Sequence, residues 1–212
     1  MNVERLRPGL WRWSADHPDW TPEEDWPREV ASYYYEAPDS VVLIDPLVPD
    51  DDRERFFAHF DADVERAEKP VAIVLSIFWH HRSARELAER YDARIWIVDR
   101  QHERLAQRVP PELLEQHEAR ATLPAGIESF DVGRRNDVVL WLPEVRALMA
   151  GDILLGTDDG SVTVCPWLGE EDPDEVRASL RTLLELPVEL ILVGHGAPVL
   201  EDAHAALERA LA

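Results

Sequence analysis

The sequence predicts one α/β domain in which mixed β-strands and α-helices pack as a sandwich. Three observations predict it. Continuous apolar runs such as residues 71–78 have the composition of strands buried on both faces. They alternate with charged, amphipathic stretches of helical length, as in layered α/β architectures. A close run of strands between residues 127 and 149 then precedes a final helix, strand and helix. A chain of 212 residues suits one domain with an ample core, so residues 1–212 are expected to fold as a unit.

Each element has its own signal. Residues 1–28 hold Trp11, Trp13, Trp20 and Trp26 among Pro8, Pro18, Pro22 and Pro27, which reads as an irregular covering segment whose indoles bury against a sheet. Within it, Asp16, His17 and Asp19 read as a surface turn in preference to a segment that reaches a site. Residues 30–36 and 41–44 are β-rich runs split by Ala37, Pro38, Asp39 and Ser40, a hairpin pattern. Residues 51–68 fit a helix and 71–78 a buried strand. Residues 83–91 fit a second helix, with Ser83 as N-cap and Glu86 completing a capping box. Residues 94–98 form a strand, and 99–120 are charged and helical or irregular, broken at Pro110 and Pro111. Strands follow at 127–132, 137–142 and 146–149. A helix at 174–186, a strand at 188–193 and a helix at 201–211 complete the chain.

Charge and cysteine content exclude whole classes of function. A formal net charge of −21 repels nucleic acid and anionic lipid over a Debye length of about 10 Å, leaving Arg134 and Arg135 as a local anion contact at most. A small-molecule substrate or ligand is the expected partner, with neither nucleic acid nor membrane. Cys165 is the only cysteine, which rules out an intrachain disulfide and a thiol-rich metal site. The first residues lack a signal-peptide apolar stretch, and no apolar run approaches the roughly 20 residues that cross a bilayer. The chain reads as cytoplasmic and soluble.

Two strand ends carry the chemistry. The apolar residues 190–193 run into Gly194, His195 and Gly196, so glycines on both sides let the backbone turn sharply and leave an imidazole at a sheet rim. Earlier, residues 148–150 run into Gly151 and Asp152, and residues 41–44 end on Asp45. In this order the landmarks resemble those of the metallo-β-lactamase fold superfamily over roughly residues 30–200. The resemblance implies an αββα four-layer sandwich, two mixed sheets with helices outside, and a hydrolase-like pocket at one edge where Asp45, the 76–82 loop, Asp152 and His195 meet.

The superfamily's histidine signature, His-x-His-x-Asp-His, opens a helix and suits zinc, whose imidazole and carboxylate ligands stand at about 2.0–2.2 Å. The matching piece here begins at Ser76. It puts Ile77 and Trp79 where two histidines belong, His81 where the acid belongs and Arg82 where the last histidine belongs. A guanidinium stays charged and cannot coordinate. Residues 130–137 also lack the histidine expected before the Gly151–Asp152 strand. The usual dinuclear centre is therefore expected to be absent.

Asp152 and His195 remain, with two outcomes open. One divalent ion, zinc or another, binds through His80 or His81 with Asp152 and His195; or no metal binds and Arg82 pairs with Asp152. The first makes the chain a hydrolase of esters, amides or thioesters, with His80, Asp152 and His195 as catalytic residues around a metal-bound or histidine-activated water. The second makes it a non-catalytic binding or scaffold protein. Other chemistries lack their motifs: no nucleophile elbow, phosphate-binding loop or dinucleotide turn occurs. Cys165 reads as a small buried residue.

Overall fold

The computed structural model describes residues 2–132, 137–167 and 172–212; Arg134 and Arg135 lie outside the described residues. The chain divides into two compact units, Met1–His117 and Glu118–Ala212.

The first unit is built on a seven-stranded sheet whose spatial order follows the sequence. Strands β1 (Asn2–Arg7), β2 (Leu10–Asp16), β3 (Glu29–Glu36) and β4 (Val41–Ile44) pair antiparallel. Strands β5 (Val71–Val74), β6 (Arg94–Val98) and β7 (Leu114–His117) continue the sheet in parallel. Each parallel step needs a crossover, and helices α1 (Arg53–Ala67), α2 (Ala84–Tyr91) and α3 (Asp99–Leu105) supply them. Phe56 and Phe60, one turn apart on α1, bury into a core with Leu43, Ile73, Leu87 and Ile95.

Three expectations are corrected here. Residues 1–28 contain two paired strands: Pro8 falls in the β1–β2 turn and Pro18, Pro22 and Pro27 in the following loop, so no proline interrupts a ladder. Ser83 precedes α2 but makes no side-chain cap; its hydroxyl accepts the Val48 N–H at 2.9 Å, and Glu86 pairs with Arg53. Tertiary partners replace the capping box. Within residues 99–120, β7 is a strand whose polar sequence, Leu114 to His117, reflects its place at the sheet edge.

The second unit contains β8 (Glu128–Asp131), β9 (Val138–Leu142), β10 (Ala147–Met149), the hairpin β11 (Leu154–Gly156) and β12 (Val162–Val164), helix α4 (Pro173–Leu180), β13 (Leu190–Leu192) and helix α5 (Ala203–Ala210). Its four-stranded sheet has the order β13-β10-β9-β8, and only the β10–β13 pair is parallel. Asp172 caps α4 by accepting the Asp174 N–H, and the expected helix over 174–186 tightens into a 3-10 turn after Leu180. Leu148, Ile153, Leu180, Leu183, Ile191 and Leu207 are fully buried in this core. Among the described residues, no helix is long and apolar enough to cross a membrane.

Candidate functional site

In the first unit the end of β4 and the turn after β5 converge on one buried carboxylate. Asp45, fully buried, adopts a left-handed backbone at φ 49°, which turns its side chain under the loop that follows β5. Its Oδ1 accepts the Ser76 N–H at 2.8 Å, and its Oδ2 accepts the Ser76 hydroxyl at 2.6 Å. His80 Nδ1 stands 2.9 Å from the same Oδ2 and 3.3 Å from Ser76 Oγ. A carboxylate can only accept, so the contact fixes a proton on Nδ1 and makes Nε2 the atom that can take a proton or meet a metal. The carbonyl of Asp45 is held too: it accepts the Ser32 hydroxyl at 2.8 Å and Arg82 Nη1 at 3.2 Å.

The rest of the loop turns its groups elsewhere. Ile77 is buried, and Trp79 is 52% exposed. His81 Nδ1 donates to the Phe78 carbonyl at 3.0 Å, and burial is the main influence lowering its pKa. Arg82 has φ 24° and ψ −106°, a conformation rare for a residue with a side chain, and Nη1 also donates to Ala31 O at 3.3 Å. His17, in the turn after β2, is half-buried edge-on to Trp26. Burial chiefly lowers its pKa, with the Arg82 charge next and smaller contributions from His80 and His81.

In the second unit Asp152 follows β10 and His195 follows β13, the parallel pair of neighbours, so the two strand ends adjoin as expected. His195 Nε2 lies 3.7 Å from Asp152 Oδ1. The indole of Trp167 meets the His195 ring edge-on, with centroids 5.6 Å apart. The flanking glycines have a packing reason of their own. A Cβ on Gly194 would stand 2.4 Å from Asp152 Oδ1, and one on Gly196, at φ +83°, would stand 2.2 Å from the Gly156 carbonyl oxygen. Cys165 is buried, as expected of a small apolar residue.

The structure thus groups Asp45 with His80, sets Arg82 on the Asp45 carbonyl, and joins Asp152 to His195. It turns the Nδ1 atoms of His80 and His81 to different partners. Sequence reasoning gave Ser76 no role beyond marking the signature, and it overlooked Ser32, whose hydroxyl also accepts the Leu47 N–H at 2.9 Å. A serine on the buried strand β3 amid apolar neighbours was the available signal, because a buried hydroxyl needs partners.

No protein-family model matches the sequence, and no curated protein matches it. Solved structures do. A metallo-beta-lactamase from Pontibacter korlensis is 14% identical, with a TM-score of 0.71 over 99% of this chain and 98% of its own. An archaeal metallo-beta-lactamase superfamily protein from Sulfolobus tokodaii is 16% identical, with a TM-score of 0.69 over 96% of this chain and 84% of its own. The metallo-beta-lactamase FIM-1 from Pseudomonas aeruginosa, in a mono-zinc form, is 15% identical, with a TM-score of 0.66 over 99% and 94%. The chain has the metallo-β-lactamase fold, the mixed α/β sandwich that its sequence predicts.

The donor set fits zinc poorly. Among the described residues, no group of three or more His, Cys, Asp and Glu side chains is placed to hold an ion. Ile77 and Trp79 offer no donor atom, Arg82 brings a positive charge, and the Asp152–His195 pair supplies two donors where a structural zinc takes four and a catalytic zinc three.

Proposed function

We propose that this protein uses the metallo-β-lactamase fold for binding a small molecule, with an arginine in place of the fold's metal-dependent chemistry. The observation that carries this reading is Arg82. It occupies the place of the signature's last histidine, and its guanidinium is anchored on the carbonyls of Ala31 and Asp45. A permanent cation held there by the backbone opposes a second cation at the same position. Asp152 and His195, two donors alone, then serve to hold the ends of β10 and β13.

The test is elemental analysis of the purified protein after dialysis, beside a His195→Ala variant. The expected result is less than about one tenth of an equivalent of zinc, iron or manganese in both. About one tightly held equivalent that disappears in the variant would overturn the reading in favour of a one-metal hydrolase. About two would show that the signature positions are wrongly assigned.

A second reading is favoured by the Asp45–His80 contact. A carboxylate on Nδ1 orients an imidazole and fixes its tautomer, as a general base acting on water requires. The reaction would be metal-independent hydrolysis of an ester, amide or thioester, with His80 Nε2 taking the proton. Turnover of p-nitrophenyl acetate that falls about a hundredfold in His80→Ala would establish it; equal rates in the two proteins would remove it.

A further inference from the structure

A second candidate site lies within the first unit, among residues the motif does not include. Between α1 and strands β1 to β3 there is a pocket of about 480 Å³, the size of small-ligand cavities. Its walls are aromatic for reasons of register. Trp11 and Trp13 are two apart on β2 and share a face; Trp11 pairs with Tyr34 on β3; Phe56 and Phe60 face them from successive turns of α1. The rings meet edge-on at 5.5 Å for Trp11–Tyr34 and 5.6 Å for Tyr34–Phe60.

Two features of the pocket call for a ligand with a polar end. Tyr34 is 6% exposed, and its hydroxyl is buried without a hydrogen-bond partner among the described residues, which is costly in a protein interior. Burial, then the charges of Glu36 and Asp63, push the phenol's pKa well up, so it stays protonated, able to donate and to accept. The mouth carries Asp52, Arg55, His59 and Asp63 from one side of α1. Asp63 is eight residues from Arg55, about 12 Å along a helix, and its charge acts on the Tyr34 phenol together with the opposing charge of Arg66, so Asp63 is the carboxylate at the Tyr34 end of the pocket. Asp63 is exposed and only loosely engaged, with Arg66 Nε at 3.6 Å. The indole walls already attract cations: the Arg5 guanidinium stands 5.6 Å over the Trp11 ring.

We propose that this pocket binds an organic ammonium ion with an apolar or aromatic body, its rings among Trp11, Trp13 and Phe60 and its N–H groups directed to the Tyr34 hydroxyl and the Asp63 carboxylate. Anions are disfavoured by a net charge of −21, and a neutral apolar ligand would leave the hydroxyl without a partner. The site is independent of the reading of Arg82, since none of its residues belongs to the motif loop.

The test is calorimetry on the full chain with three probes that share a phenylethyl body: 2-phenylethylammonium, 2-phenylethanol and 3-phenylpropionate. The ammonium ion is expected to bind at least about fivefold more tightly than the alcohol, with the carboxylate weakest. Asp63→Asn and Tyr34→Phe should each weaken the ammonium ion about threefold to tenfold, while Tyr34→Phe leaves the unliganded melting temperature unchanged or higher. His195→Ala should bind as the parent does, which separates this pocket from the motif. Equal binding of all three probes, no binding up to about 10 mM, or unchanged affinity in both pocket variants would overturn the proposal.

Discussion

His80 Nδ1 lies 2.9 Å from Asp45 Oδ2, inside a unit where both residues are buried and where Ser76 gives the same carboxylate two further hydrogen bonds. The carboxylate is the hub of this network. Asp45→Asn keeps its shape but replaces one acceptor oxygen with a donor that faces donors. Unfolding in urea should show a loss of roughly 3 kcal/mol with an unchanged slope, because a buried polar cluster loses an acceptor. Parent-like stability would mean that the network holds nothing together.

The glycines beside His195 offer a sharper comparison. Gly160 has φ +78° and no described atom within 4 Å of the point where a Cβ would stand, whereas Gly196 has φ +83° and a carbonyl oxygen in the way. Gly160→Ala should therefore cost only the backbone penalty, about 1 kcal/mol. Gly196→Ala should cost more than about 2 kcal/mol, since strain adds to a clash with backbone. Similar melting temperatures for the two variants would contradict this packing.

Glu36 ties the end of β3 to the end of α1. Arg66 Nη2 stands 2.7 Å from its Oε2, and Lys69 Nζ stands 3.2 Å from its Oε1. The Arg66 hydrogen bond is the main influence holding its carboxyl below the ordinary value of 4.5. A depressed carboxyl stabilises the fold above its unfolded pKa and loses that contribution as pH falls through the folded value. Glu36→Gln should cost about 1 kcal/mol at pH 7, and the difference from the parent should shrink below about pH 4.5. A constant difference from pH 7 down to pH 3 would refute the assignment.

Nucleic acid should not bind. With 22 basic against 43 acidic residues, few phosphates can be neutralised and little counterion release is available. Filter binding with DNA and RNA at about 150 mM salt should show no retention; retention that weakens steeply with added salt would reverse the conclusion.

Periodicity and strand-end chemistry are legible in the sequence. The apolar run ending at Asp45, the helix over 51–68, and the Gly151–Asp152 and Gly194–Gly196 ends all stand where hydrophobic pattern and glycine spacing put them. These signals are local, because burial imposes a period on each element and a sharp turn imposes its glycine. Less legible was the edge of the first sheet. β1 and β7 each pair on one side only, so their sequences carry a proline nearby or polar residues that read as irregular chain.

The direction of each polar atom is set by packing. The sequence determined that Ile77, Trp79 and Arg82 cannot be ligands, because an alkyl group, an indole N–H and a guanidinium lack a coordinating lone pair. It assigned Ser83 to a helix cap that the fold does not use, and it left the fates of His80 and Tyr34 open. Ser83 accepts from Val48, 35 residues away in sequence, His80 turns Nδ1 to Asp45, also 35 residues away, and Tyr34 meets rings from both β2 and α1. A hydrogen bond is won by whichever partner the fold brings within about 3 Å, and that distance is a property of packing rather than of sequence spacing.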